Sequence, residues 1–265
     1  MAGEWPPACA LVVTAVAYAA GVRAVHGRGR AWSHRRTLAF GLGLLAMAAA
    51  LAPPLAGDDE RLPVHVAQHV LLGMLGSLLL AFSAPITLAL RTLPAPARRL
   101  LVRALHSRAA AVAVHPATAT ALVTAAIAGL YFTPLYGETL RHPVLHDVVH
   151  VHFVAAGCLF AWAFVGTDPV PRRGRFGVRL GLLLVAFGSH AALAKLLYAG
   201  YGDLSSVPIR ELHEGAELMY YAGDAVDVLL LVAFFRRWYV AGGRRIERDR
   251  RRASYTRTAD CRPAT

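Results

Sequence analysis

His65 and His69, in "PVHVAQHVLLGMLG", stand four residues apart at the start of an apolar stretch. His146 and His150, in "HPVLHDVVHVHF", repeat that spacing at the start of another. On a helix, residues i and i+4 lie one turn apart on the same face, so each pair aims two imidazoles in one direction. Neutral imidazole ligates copper, zinc and haem iron, and such a pair offers two nitrogens to one ion. A fifth ring, His190 in "GSHAALAKLLY", lies in a third apolar stretch. Ionisable side chains in apolar surroundings are costly unless they face a protein interior and find partners there, so their positions point to function.

Polar groups around these rings supply the supporting set. Asp147 precedes His150 by three, and a carboxylate beside an imidazole can hold its second N–H and fix the tautomer that binds metal. His152 falls on a different side of that helix. In "EGAELMYYAGDAVD", Glu214, Glu217, Tyr221 and Asp224 share a face at i, i+3, i+7 and i+10. Lys195 comes at the depth of Glu217, and His190 at that of Asp224, which predicts salt bridges between two helices. Gly73 and Gly76 continue the face below His69 and permit close approach of a neighbour. Met74 lies about 140° around the helix from His69, and Met219 about 160° from Glu217, so both are read as packing residues. The spacing alone leaves two readings open: a metal or haem site, or a network of imidazoles, carboxylates and carbonyls that bond one another.

The elements that carry these groups belong to a membrane. The chain of 265 residues is 56% hydrophobic and 17% charged, with a mean hydropathy of +0.46, whereas soluble domains carry about 25% charged residues. Seven apolar stretches, 8–25, 37–56, 64–90, 117–135, 144–166, 177–199 and 214–238, approach or exceed the roughly 20 residues that cross a bilayer as helix. They lack the period of two of a membrane strand. The expected fold is an all-α seven-helix transmembrane bundle. "MAGEWPP" carries an acid and no Lys or Arg, so the first stretch is read as a retained helix, not a secretory signal.

Charge sets the orientation. Alternate connections are strongly basic ("RAVHGRGRAWSHRR", "RTLPAPARRLLVRALHSR", "PRRGRFGVR" and the tail "GGRRIERDRRR"), while the others hold one Arg each and most of the loop acids. Basic connections stay cytoplasmic, which puts the amino terminus outside and the carboxyl terminus inside. The net charge of +12 is thereby read as topology and attraction to the lipid bilayer, not as nucleic-acid binding. "TLPAPARRLLVRALHSRA" reads as an amphipathic helix on the cytoplasmic surface. One transmembrane domain is expected over 1–241 and an Arg-rich disordered tail over 242–265. Cys9, Cys158 and Cys261 are scattered and form no Cys-x-x-Cys pair, which argues against a thiol-based carrier.

Several segments together are similar to one family: "HVAQHVLLGMLGSLLLAFSAPITLALR", "HPVLHDVVHVHFVAAGCLFAWAFVGTDPVP", "SHAALAKLLY" and "GAELMYYAGDAVDVLLLVAFFRRWY". They resemble the bacterial CtaG family of cytochrome c oxidase assembly proteins, over about five of the seven helices and in order. The resemblance implies a multi-pass plasma-membrane assembly factor, not an enzyme, with cytochrome c oxidase subunits as partners. It implies transient copper binding at His65, His69, His146, His150 and His190 for an outward-facing dicopper centre. The last helix departs from the commonest family pattern, an Asp-Gln pair and a Trp, since Glu217 and Tyr220 stand near those places. Two alternatives compete: a haem or redox protein using the same histidines, and a proton or solute transporter relaying through Lys195, Glu217 and Asp224. The apolar inner halves of the helices oppose the transporter.

Overall fold

The structure, a computed structural model, describes residues 5–58, 60–168 and 175–260, with side chains described for 8–58, 60–168 and 175–243. Every regular element among them is helical: α1 (Trp5–Gly27), α2 (His34–Ala50), α3 (Leu62–His69), α4 (Ser77–Ser83), α5 (Pro85–Thr92), α6 (Ala95–Leu105), α7 (Arg108–Ala113), α8 (Pro116–Tyr131), α9 (Leu135–Arg141), α10 (Pro143–Phe164), α11 (Phe176–Tyr198) and α12 (Ile209–Asp260), with a short 3-10 turn at Leu55–Gly57. Six segments are long and apolar enough to cross a membrane. A seventh is counted when α8 and α9, bent by 72° at their junction, are taken as one span.

That bend falls where 117–135 reads as one straight span. Pro134 lacks an N–H and disfavours helix at Thr133, so α8 stops and the chain turns before α9 begins. The connection "YGETLRHP" is thus itself mostly helical. The third stretch is likewise not one uniform helix. Its α-helical start gives way to a π-helical segment, Val70–Gly76, immediately after His69. It breaks again at Ala84, whose φ of 54° is left-handed, just before Pro85 restarts the helix as α5.

Asp168 caps this restart from across the fold. Buried in the connection after α10, it accepts hydrogen bonds from the Thr87 N–H (2.6 Å), the Thr87 hydroxyl (2.6 Å) and the Ile86 N–H (3.3 Å). A carboxylate on the first amides of a helix satisfies orphan donors and meets the positive end of the dipole. The carbonyls ending α10 are met in the same way: Arg179 donates to Ala163 and Phe164, and Arg237 to Val165 and Gly166. Gly166 and Asp168 thus take part in a structural lock at one end of the bundle.

At mid-bundle, α10 lies directly on the π-helical segment. A Cβ built on Gly157 would stand 1.8 Å from the Gly73 carbonyl oxygen, so the two backbones touch and only glycine fits. This contact brings the histidine turn of α10 against that of α3. The expected surface helix appears as α6 and α7, with Arg98, Arg99 and Arg103 exposed. Helix α12 continues through the stretch expected to be a disordered tail as far as Asp260, consistent with its Arg, Glu and Ala content. Residues 261–265, Cys261 among them, and 171–174 of the third basic connection lie outside the described residues.

Candidate metal centre

Helices α3 and α10 start at the same end of the bundle, the end formed by the 51–61, 132–142 and 199–208 connections. Both enter with Pro in their first turn, which is preorganised for helix and sacrifices no bonded amide. Each therefore presents its pair one turn or so below that end, and the pairs meet. The His65 and His69 ring centroids are 4.3 Å apart, His146 and His150 4.2 Å, His65 and His146 5.3 Å, and His69 and His150 5.5 Å. Four imidazoles from two helices thus form one group.

The group is enclosed. His65, His69 and His150 are 0, 5 and 8% exposed, and His146 is half-buried. Tyr136 of α9 lies edge-on over His65, its centroid 5.0 Å away, and its hydroxyl donates to the Glu60 carbonyl (3.0 Å). Phe153 stacks on His69 at 4.1 Å. Gln68 donates to the Ala50 and Leu55 carbonyls, both at 3.2 Å, and ties the 51–57 connection to α3. With the rings in mutual contact, a porphyrin could enter only by parting them.

Two features fit this group to a metal ion. The Nε2 atoms of His69 and His150 are buried and have no hydrogen-bond partner, a costly state that a metal would relieve. The other nitrogen of His69, Nδ1, lies 3.0 Å from the Tyr131 hydroxyl at the end of α8. A ring that offers its Nε2 lone pair to a metal carries its proton on Nδ1, and the Tyr131 oxygen can accept it.

The remaining expected residues distribute differently. His190 takes its place beside Asp224 and Asp227 of α12, and these three are the group whose donor atoms all fall within 4.8 Å of one another among the described residues. It still shares a cavity with His69, lined also by Val70, Met74, Tyr131 and Met219. Both methionines pack in the core as expected, but they also border the space between the two sites. Asp147, expected beside His150, is exposed instead. Lys195 and Glu217 face an open groove with Tyr198, Tyr220 and Tyr221. They form no salt bridge; the Lys195 ammonium lies 5.2 Å over the Tyr220 ring instead.

Tyr131, Tyr136 and Asp227 are the residues that the sequence reading passes over. Asp227 carries a legible signal, since it follows Asp224 by one helical turn. The tyrosines carry none: Tyr131 meets His69 from the end of α8, and Tyr136 meets His65 only beyond the bend.

Residues 16–241 match the family described as cytochrome c oxidase caa3 assembly factor. The chain is 32% identical over 262 residues to an uncharacterized protein of Mycobacterium bovis and equally to one of Mycobacterium tuberculosis, covering 91% of this chain and 40% of each relative. It is 28% identical over 270 residues to an uncharacterized protein of Mycobacterium leprae, covering 94% of this chain and 41% of that one. The chain thus spans about 40% of the length of these curated relatives. No solved structure matches it.

Proposed function

The chain belongs to the cytochrome c oxidase caa3 assembly factor family, and from that premise we propose that it supports oxidase maturation by carrying copper. The ion is cargo, held transiently among His65, His69, His146 and His150 and passed to the dicopper centre of the oxidase. The protein acts as a carrier and not as an enzyme, in a bacterial plasma membrane, with its amino terminus outside and oxidase subunits as partners.

The observation that carries this reading is the pair of buried, unbonded Nε2 atoms of His69 and His150 within one packed group of four imidazoles. Imidazole suits copper. A site built of imidazole alone holds the ion less tenaciously than thiolate would, which suits transfer.

The test is the copper content of the purified full chain. The unmutated protein is expected to hold one copper ion per chain after incubation with cuprous ion and removal of the excess. His69→Ala with His150→Ala should lose it while the helical circular dichroism is retained. Unchanged stoichiometry in the double variant refutes the assignment. In cells, deletion should leave an oxidase depleted of its dicopper signal, whereas normal oxidase copper content would refute the delivery role.

A further inference from the structure

We propose that His190, Asp224 and Asp227 form a second cation site, distinct from the four-ring group, that takes one divalent ion of the zinc class. His190 comes from α11 and the two carboxylates from successive turns of α12. One donor atom from each lies within 4.8 Å of the other two. His190 and Asp227 are buried, 6 and 7% exposed.

His190 Nδ1 and Asp227 Oδ2 stand 3.7 Å apart, and each is buried without a hydrogen-bond partner. Two groups that merely bonded each other would close to about 2.8 Å. Two ligands of one tetrahedral ion, each about 2.1 Å from the metal, are held roughly 3.4 Å apart. The observed gap matches joint ligands better than a bonded pair.

Charge argues the same way. Neither carboxylate has a Lys or Arg within ion-pairing distance among the described residues, and Lys195, the nearest cation along α11, lies over Tyr220. Buried charges are paired or coordinate metals. With His190 neutral and both carboxylates ionised as ligands, the triad supplies two negative charges, which one divalent ion cancels. The backbone is shaped for this placement: a Cβ on Gly223 would stand 1.9 Å from His190 Cε1, so glycine is what lets the ring lie against α12. An otherwise largely apolar cavity, with His190 and Asp227 in its wall, runs alongside.

One imidazole and two carboxylates make a donor set harder than the all-imidazole group, and it favours Zn²⁺ over cuprous ion. The site stands whether or not the four rings carry copper. The test uses the full chain in detergent, stripped of metal by a chelator, with His69→Ala and His150→Ala present to disable the four-ring group. That variant is expected to bind one Zn²⁺ by equilibrium dialysis. Adding Asp224→Asn and Asp227→Asn should weaken binding at least tenfold. No Zn²⁺ bound before the Asn changes, or undiminished binding after them, overturns the site. Bound Cu²⁺ as a paramagnetic probe decides the matter even if the Asn variant does not fold. Hyperfine coupling to a single imidazole nitrogen is expected in the His69→Ala/His150→Ala chain, and coupling to two or more refutes the assignment. Loss of cuprous ion from the His69→Ala/His150→Ala chain with Zn²⁺ binding retained separates the two sites.

Discussion

A metal-binding histidine is only as good as the group that holds its other nitrogen, and in this protein that group for His69 is Tyr131. Tyr131→Phe keeps the ring and its packing but removes the oxygen that fixes the tautomer. Loss of such an outer-shell partner lowers metal affinity by about 10–100-fold. Copper affinity of the Phe variant should fall within that range, with little change in helical content; an unchanged affinity would mean that Tyr131 only fills space. Gly223 makes the complementary point by having no side chain. Gly223→Ala drives a methyl group into His190, 1.9 Å from Cε1, and overpacking of this kind costs about 1–3 kcal/mol. A lowered thermal midpoint in detergent is expected, together with weakened Zn²⁺ binding. The two histidine pairs are legible from spacing alone because i, i+4 is a local property. Tyr131 is not, because nothing near it in sequence marks it as a partner of residue 69.

Helices in this chain are interrupted at several places, and the break at Ala84 is repaired from a distance. The break at Ala84 leaves the first amides of α5 without helical partners, and Asp168, 81 and 82 residues away, accepts two of them. Asp168→Ala strips those bonds in a buried setting, and each orphaned donor costs about 1–3 kcal/mol. Thermal unfolding of the Ala variant should shift down clearly. Asp168→Asn, which keeps a carbonyl acceptor, should recover part of the loss; equal destabilisation by Asn and Ala would refute the capping role. Hydropathy shows where the apolar stretches lie, and their spans agree with the helices to within a few residues for α1, α10 and α11. It is blind to the π-helical segment 70–76 and to the bend after α8. Both arise from tertiary demands: α10 must lie on Gly73, and α9 must fold over the histidines. Pro134 is the one local sign of the second.

The distribution of arginine across the molecule decides which way the histidine end faces. At that end Arg61 pairs with Asp58 (3.3 Å) and Glu211 (3.7 Å), Arg141 with Glu138 (2.8 Å), and Arg210 with Glu214 (2.8 Å). Its positive charge is locally cancelled. The opposite end gathers Arg28, Arg36, Arg91, Arg98, Arg99, Arg103 and Arg108, a larger basic group. Unbalanced Lys and Arg next to membrane spans stay in the cytoplasm, so the four imidazoles should face the outer side, where the dicopper centre of the proposed recipient lies. Labelling of intact cells with a membrane-impermeant maleimide tests this. With Cys9, Cys158 and Cys261 replaced by Ser, Tyr201→Cys in the connection after α11 should react in whole cells. Ser107→Cys, between α6 and α7, should react only after the membrane is opened. The reverse pattern would place the histidines on the cytoplasmic side and leave delivery to an outward-facing centre without a route.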